Sequence, residues 1–194
     1  MSTRFAALAA FVALTAMACT SQPHDQASED GGDVIPEMSS SERTAALNDP
    51  TIVAIFDAAN TADIETGQLA VERGSTKEVR DFGAMLVHDH RIVRQQGRDL
   101  AEELGVTPTP PADDASAMAH ADAMAQLRSM QGTAFDKAFL DHEVRFHEDV
   151  IDAIQSTLLP AIENSEVKEF VEKVVPAFDA HRIAAENLRK KLGT

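Results

Sequence analysis

The stretch LDHEVRFHEDVIDAIQSTL, residues 140–158, decides the fold. Leu140, Val144, Ile151, Ile154 and Leu158 recur at three- and four-residue intervals or their sum, the period of one helical face. His147 falls inside that apolar stripe, and Glu143 shares its side one turn earlier. The same letters resemble a zinc-protease motif, but H-E-x-x-H sets its histidines at i and i+4, so that both reach one metal. His142 and His147 are five apart, which on a helix turns them roughly 140° away from each other. The stretch therefore predicts a core helix carrying a buried Glu–His pair.

The same period runs outward in both directions. A first long helix starts at an Asn48/Asp49 cap with Pro50 in its first turn and ends before Gly74. A second opens with Ser75 as cap and Glu78 three residues on, the capping-box spacing, and runs to Leu104. GVTPTPPADD, residues 105–114, is a Pro-rich loop that no helix crosses. A short amphipathic helix over 114–130 carries Met118, Met124, Leu127 and Met130 before Gly132 breaks it. The third long helix covers 133–158 and stops at Pro160; the fourth covers 165–191, with a kink expected at Pro176. No segment shows sustained strand alternation, so the class is all-α.

Each long helix places a polar residue on or beside its inward face. Glu65 lies in line with Ala58, Ala62 and Leu69; Asp89 lies in the path of Phe82, Leu86 and Val93, with His90 beside it. His147 sits in the third stripe, and His181 in the stripe of Val171, Val174, Phe178 and Leu188. Buried charge without a partner is costly, so these side chains should meet one another or a metal. EVRDF before HRI (from Glu78) is echoed by EVKEF before HRI (from Glu166), as in two related hairpins. The echo pairs Glu65 with Glu143 and His90 with His181, a two-fold constellation suited to iron or manganese. Against it, di-iron bundles use Glu-x-x-His, which this chain lacks. Charge-assisted hydrogen bonds between helices would use the same residues with no metal at all.

Other chemistries find less support. The Met and His residues of MAHADAMAQLRSM, residues 118–130, suggest soft copper ligands, but a Met stripe at helical spacing is the pattern of core packing. The acidic pairs in AEEL and FHED are solvated faces. There is no G-x-S-x-G element, and no catalytic residue is assigned. A formal net charge of -15 over 194 residues argues against nucleic acid as a partner.

The N-terminus reads as a targeting segment. MSTR precedes the apolar run FAALAAFVALTAMA, residues 5–18, of signal-peptide length and short for a membrane span. AMAC, residues 16–19, resembles a lipobox, with Ala16 in place of the usual Leu, and makes Cys19, the sole cysteine, the expected lipidation site. Residues 19–47 are polar and poor in large apolar groups, the composition of a disordered tether. The expected organisation is thus a lipoprotein-type signal over 1–18, an anchor and tether over 19–47, and a helical domain over 48–192. With no Asp after Cys19, the lipobox resemblance implies the periplasmic face of an outer membrane, or the soluble periplasm if Cys19 is not lipidated.

DPTIVAIFDAANTADIETGQLA (from Asp49), EVRDFGAMLVHDH (from Glu78), FDKAFLDHEVRFHEDVIDAI (from Phe135) and PAFDAHRIAAENL (from Pro176) together resemble the domain of unknown function 4142 family. The resemblance covers residues 48–192 and implies a ferritin-like antiparallel four-helix bundle outside the cytoplasm, with the extra short helix between the second and third long ones. It implies no activity. The family-typical positions carried over are Glu65, Asp89, His90, His147 and His181. The Met-rich short helix and the lipobox-like signal depart from the family pattern.

Two readings of function follow. One is a lipid-anchored envelope protein with a non-catalytic binding or stress-related role and an unknown protein partner. The other is an iron- or manganese-binding bundle with oxidase-type activity, its ligands drawn from Glu65, His90, Glu143, His147 and His181, with Asp89 as a further ligand or a support.

Overall fold

A computed structural model describes residues 47–112 and 115–193. The expected signal segment, Cys19 and the tether up to residue 46 lie outside the described residues. All secondary structure among the described residues is helical: α1 (Asp49–Arg73), α2 (Lys77–Glu103), the short α3 (Ala115–Arg128), α4 (Gly132–Ala153) and α5 (Ser165–Leu192). No described helix is long and apolar enough to cross a membrane.

The helix starts are set by local side chains. Asn48 Oδ1 accepts from Thr51 N–H at 3.0 Å, as its position before Pro50 predicts. The cap of α2 is Thr76, whose hydroxyl accepts from Val79 N–H, and not the expected Ser75. Ser75 is used elsewhere: its N–H and hydroxyl both donate to the buried Asp136 carboxylate, tying the α1–α2 turn to α4. Asn164 caps α5 by accepting from Glu166 and Val167 N–H.

Helix α4 does not stop where Pro160 predicts. It passes into a π-helical turn, Ile154–Leu158, and a last α-turn, Leu159–Ala161. Leu159 N–H reaches back to Ile154 O, five residues earlier, and the widened turn brings Pro160 into the start of a new segment, where its missing N–H is tolerated. Helix α5 likewise runs through Pro176.

Helices α1 and α2 pack tightly along each other, as do α4 and α5, and α3 lies against α1 and α4. At the α1–α2 crossing the backbones nearly touch: a Cβ on Gly83 would lie 2.6 Å from Gly67 O. Only glycine fits at such a pair.

The interior is in two apolar parts with a polar layer between them. One part gathers Leu69, Ala70, Val79, Phe82, Leu86, Phe135, Phe139, Leu140, Val144 and Ala185; Met124 and Leu127 of α3 close it. The other gathers Ile52, Phe56, Ala101, Ile154, Leu158, Val167, Val171, Val174 and Phe178. Along every long helix the chain crosses from one part to the other. The crossing points are Asn60 and Asp63 on α1, His90 on α2, Glu143 and His147 on α4, and His181 on α5, all buried.

Candidate metal centre

The polar layer is built on inward-facing positions. On α1, Phe56, Asn60, Asp63, Gly67 and Ala70 are three or four residues apart and all buried, so Asp63 points to the core by the same periodicity that buries Phe56. On α2, His90 follows Phe82 and Leu86 at intervals of four; on α4, His147 follows Phe139 and Glu143 likewise; on α5, His181 follows Val174 and Phe178. Four helices thus deliver three imidazoles and two carboxyls to one level of the interior.

Ligand atoms of His90, His147 and His181 lie within 4.8 Å of one another, and so do those of Asp63, Glu143 and His147. His147 belongs to both sets. His90 Nε2 stands 3.4 Å from Asp63 Oδ2 and 3.2 Å from His181 Nδ1; His147 Nδ1 stands 3.7 Å from Glu143 Oε2. His90 and His147 pack against Phe178, and the three rings pack against each other, His90 and His181 with centroids 5.0 Å apart.

The hydrogen bonds fix where the protons are. His147 Nδ1–H donates to Glu143 O, 2.9 Å away, so the neutral ring turns a bare Nε2 lone pair into the interior. Among the described residues none meets that nitrogen: His147 Nε2 is buried without a hydrogen-bond partner. Asn60 Nδ2–H donates to Phe56 O at 2.7 Å, which orients its Oδ1 toward His90 and makes His90 Nδ1 the donor, at 2.9 Å. His90 Nε2 is therefore a lone pair as well. On the far side, His181 Nε2–H donates to Asp89 Oδ2 at 3.0 Å. A neutral His181 then presents Nδ1 as a third lone pair, facing that of His90.

Two ring nitrogens 3.2 Å apart need something between them, a proton or a metal ion. Two nitrogens bound to one tetrahedral metal at about 2.05 Å are separated by about 3.3 Å. The spacing suits a shared metal. Each ring also has the outer partner that metal-bound histidines use to fix their tautomer: a carbonyl, an amide and a carboxylate.

The carboxyls are in the same condition. Asp63 and Glu143 are fully buried, and none of their oxygens makes a hydrogen bond of regular geometry. Burial pushes the Glu143 carboxyl up to about 7. Burial, with Glu143 beside it, raises Asp63 well above the usual carboxylate range. Burial also holds His90 down to about 2 and His147 to about 3, with neighbouring imidazoles adding to the effect. Protons thus sit on the two carboxyls and not on the His90 and His147 rings. A divalent cation would displace those protons and satisfy every group at once.

Of the residues read from the sequence, His90, Glu143, His147 and His181 come together. Asp89 stands outside them as the partly exposed support of His181. Glu65 is not among them. It lies on the exposed side of α1, with Oε2 accepting from His120 Nε2 of α3 at 2.8 Å. The carboxyl that α1 does contribute is Asp63, which the sequence reading missed. His142, five residues before His147, belongs to neither set, and burial holds it down to about 4. Of the methionines of α3, Met124 packs in the core and Met118 is exposed.

Comparison with known proteins agrees with the fold. Residues 36–188 match the family described as domain of unknown function (DUF4142). No curated protein matches. The crystal structure of a DUF305 fragment from Deinococcus radiodurans is similar with a TM-score of 0.64 at 17% identity, covering 73% of this chain and 95% of that one. CopM in the Cu(II)-bound form is similar with a TM-score of 0.57 at 13% identity, covering 74% of this chain and 98% of that one. The family match spans most of the sequence, and the chain belongs to the DUF4142 family.

Proposed function

We propose that this DUF4142 protein binds a divalent first-row transition metal ion inside its helices, through His90, His147, His181, Asp63 and Glu143. One observation carries the reading: among the described residues, His147 Nε2 and the oxygens of Asp63 and Glu143 are buried without a hydrogen bond of regular geometry, and His147 belongs to both converging sets of ligand residues. Buried polar atoms are almost always paired, and a cluster that lacks pairing is where an absent ion belongs.

The donors narrow the choice of metal. Imidazole and carboxylate together suit copper(II), zinc, iron or manganese; with no thiolate or thioether in the set, copper(I) is disfavoured. Among divalent ions such a set favours Cu²⁺ over Zn²⁺, Fe²⁺ and Mn²⁺ in intrinsic affinity. CopM, a structural neighbour, was solved with Cu(II), which gives copper a place in the test beside iron and manganese. The order of the two apolar parts along α1, α2, α4 and α5 fits two antiparallel hairpins joined by one long crossover through α3, the ferritin-like arrangement. In this reading the domain stands outside the cytoplasm behind a lipid on Cys19, an assignment that rests on the sequence of residues 1–19.

The test is equilibrium dialysis of the chelator-stripped full chain against Cu²⁺, Zn²⁺, Mn²⁺ and, anaerobically, Fe²⁺. About one tightly held ion per chain is expected for at least one metal, and none in a His147→Ala/Asp63→Ala variant. Equal retention by that variant would refute the assignment.

A further inference from the structure

A second site lies on the far side of Asn60. Helices α1, α2 and α5 leave a cleft of about 320 Å³ between them, open at one side and walled by Phe56, Val93, Gly97, Pro110, Phe170 and Val171. Its loop wall is held in place: Thr109 N–H donates to Pro50 O at 3.1 Å, folding the Pro-rich segment back over α1. Gly97 keeps the cleft open, since its missing side chain leaves Phe170 as the facing surface, 3.4 Å from where a Cβ would stand. The walls are apolar, and a cavity of about 150 Å³ is known to hold one benzene, so this one has room for about a dozen carbon atoms.

Its rim is charged. Arg94 Nε and Nη2 donate to Asp57 at 3.0 and 3.3 Å, and Arg98 Nε and Nη2 donate to the same carboxylate at 2.6 and 3.1 Å. Although partial burial works against it, the two guanidiniums hold the Asp57 carboxyl below its ordinary range. Two cations thus share one anion, leaving a surplus positive charge at the mouth of an apolar cleft in a chain whose net charge is -15. Both guanidiniums spend Nε and Nη2 on Asp57, which leaves Nη1 of each for another acceptor.

We infer that the cleft binds a small monocarboxylate with an apolar body of about ten carbons, its tail among Phe56, Val93 and Phe170 and its carboxylate on Arg94 and Arg98. The Nη1 of each guanidinium offers a charged donor to one carboxylate oxygen, so the two arginines together can hold both. The site is separate from the metal centre, sharing with it only Asn60, which lines the cleft and holds His90 from behind.

Calorimetric titration of the metal-free full chain with decanoate, decanol and decylammonium tests this. Decanoate should bind once per chain, about tenfold tighter than decanol, with decylammonium weaker still. Arg98→Gln, at a half-exposed position, should bring decanoate close to decanol and leave decanol unchanged. Gly97→Leu should fill the cleft and abolish binding of both, with the melting transition monitored by circular dichroism to confirm folding. Equal binding of the anion and the cation, or full decanoate binding by a folded Gly97→Leu variant, would overturn the proposal.

Discussion

His147 donates its Nδ1–H to the backbone carbonyl of Glu143, one turn back on the same helix. That bond gives the answer to the stretch HEVRFHE. The pair at i and i+4 is neither a two-ligand protease motif nor a simple salt bridge, since Glu143 orients the ring through its main chain and keeps its side chain for the interior. Both residues carry buried side-chain atoms without a hydrogen-bond partner among the described residues, and with Asp63 they form one of the two converging sets.

Orientation of His90 should matter as much as its presence. Asn60→Leu would keep the volume near Phe56 while removing the acceptor that fixes the His90 tautomer. A loss of about 10–100-fold in metal affinity is expected, the usual effect of deleting a partner behind a bound histidine. Competition titration against a chromophoric chelator measures it, and an unchanged affinity would show that His90 needs no such support.

Glu65 and Asp63 are two residues apart and face different ways. Glu65→Ala should leave metal stoichiometry untouched, because its carboxylate meets His120 on the surface. Asp63→Ala should remove or severely weaken the site. Metal analysis of both variants after dialysis separates them, and the reverse result would put the centre on the α1–α3 face.

The protonated Glu143 should show in how the stability of the metal-free protein depends on pH. Glu143 is lifted to about 7 from 4.5, so its contribution is complete below pH 4.5 and is lost as pH rises through 7. His90 and His147 are depressed to about 2 and 3 from 6.5, so theirs is complete above pH 6.5 and is lost as pH falls. In urea melts with a chelator present, the wild type should therefore lose stability relative to Glu143→Gln as pH rises from 5 to 7, since the histidines contribute equally to both. Parallel pH profiles for wild type and Glu143→Gln over that range would contradict the buried, protonated Glu143.

The α1–α2 contact is the least tolerant part of the scaffold. A Cβ on Gly83 would meet Gly67 O at 2.6 Å and Ala70 Cβ at 2.8 Å. Gly83→Ala is expected to destabilise by about 1–3 kcal/mol through forced separation of the helices. Chemical denaturation checks it, and a neutral result would mean that the two helices part without cost.

Much of this was legible in the sequence. Asn48 with Pro50 marked the start of α1 and Gly74 its end; the three- and four-residue period found His147 and His181 because each interrupts an otherwise apolar stripe, Glu143 because it shares the face of His147, and His90 only as a neighbour of Asp89, which stood in the α2 stripe. Asp63 escaped for a physical reason. Helix α1 is buried on most of its circumference, from Ile52, Phe56 and Asn60 round to Ala62, Ile64 and Leu69. Periodicity therefore names no single inward face, and Ala58, Ala62 and Leu69 drew attention to Glu65. Ser75 was misread as a cap because its true partner, Asp136, is distant in the chain and near only in the fold. The pairing of Asp89 with His181 was out of reach for the same reason.

The most direct test of the metal centre is anomalous X-ray scattering at the absorption edge of the bound metal, from crystals of the metal-loaded protein. The account predicts one strong peak enclosed by His90, His147, His181, Asp63 and Glu143, with His147 bonding through Nε2. A peak at His120 and Glu65, or none in protein shown to carry stoichiometric metal at no ordered site, would contradict it.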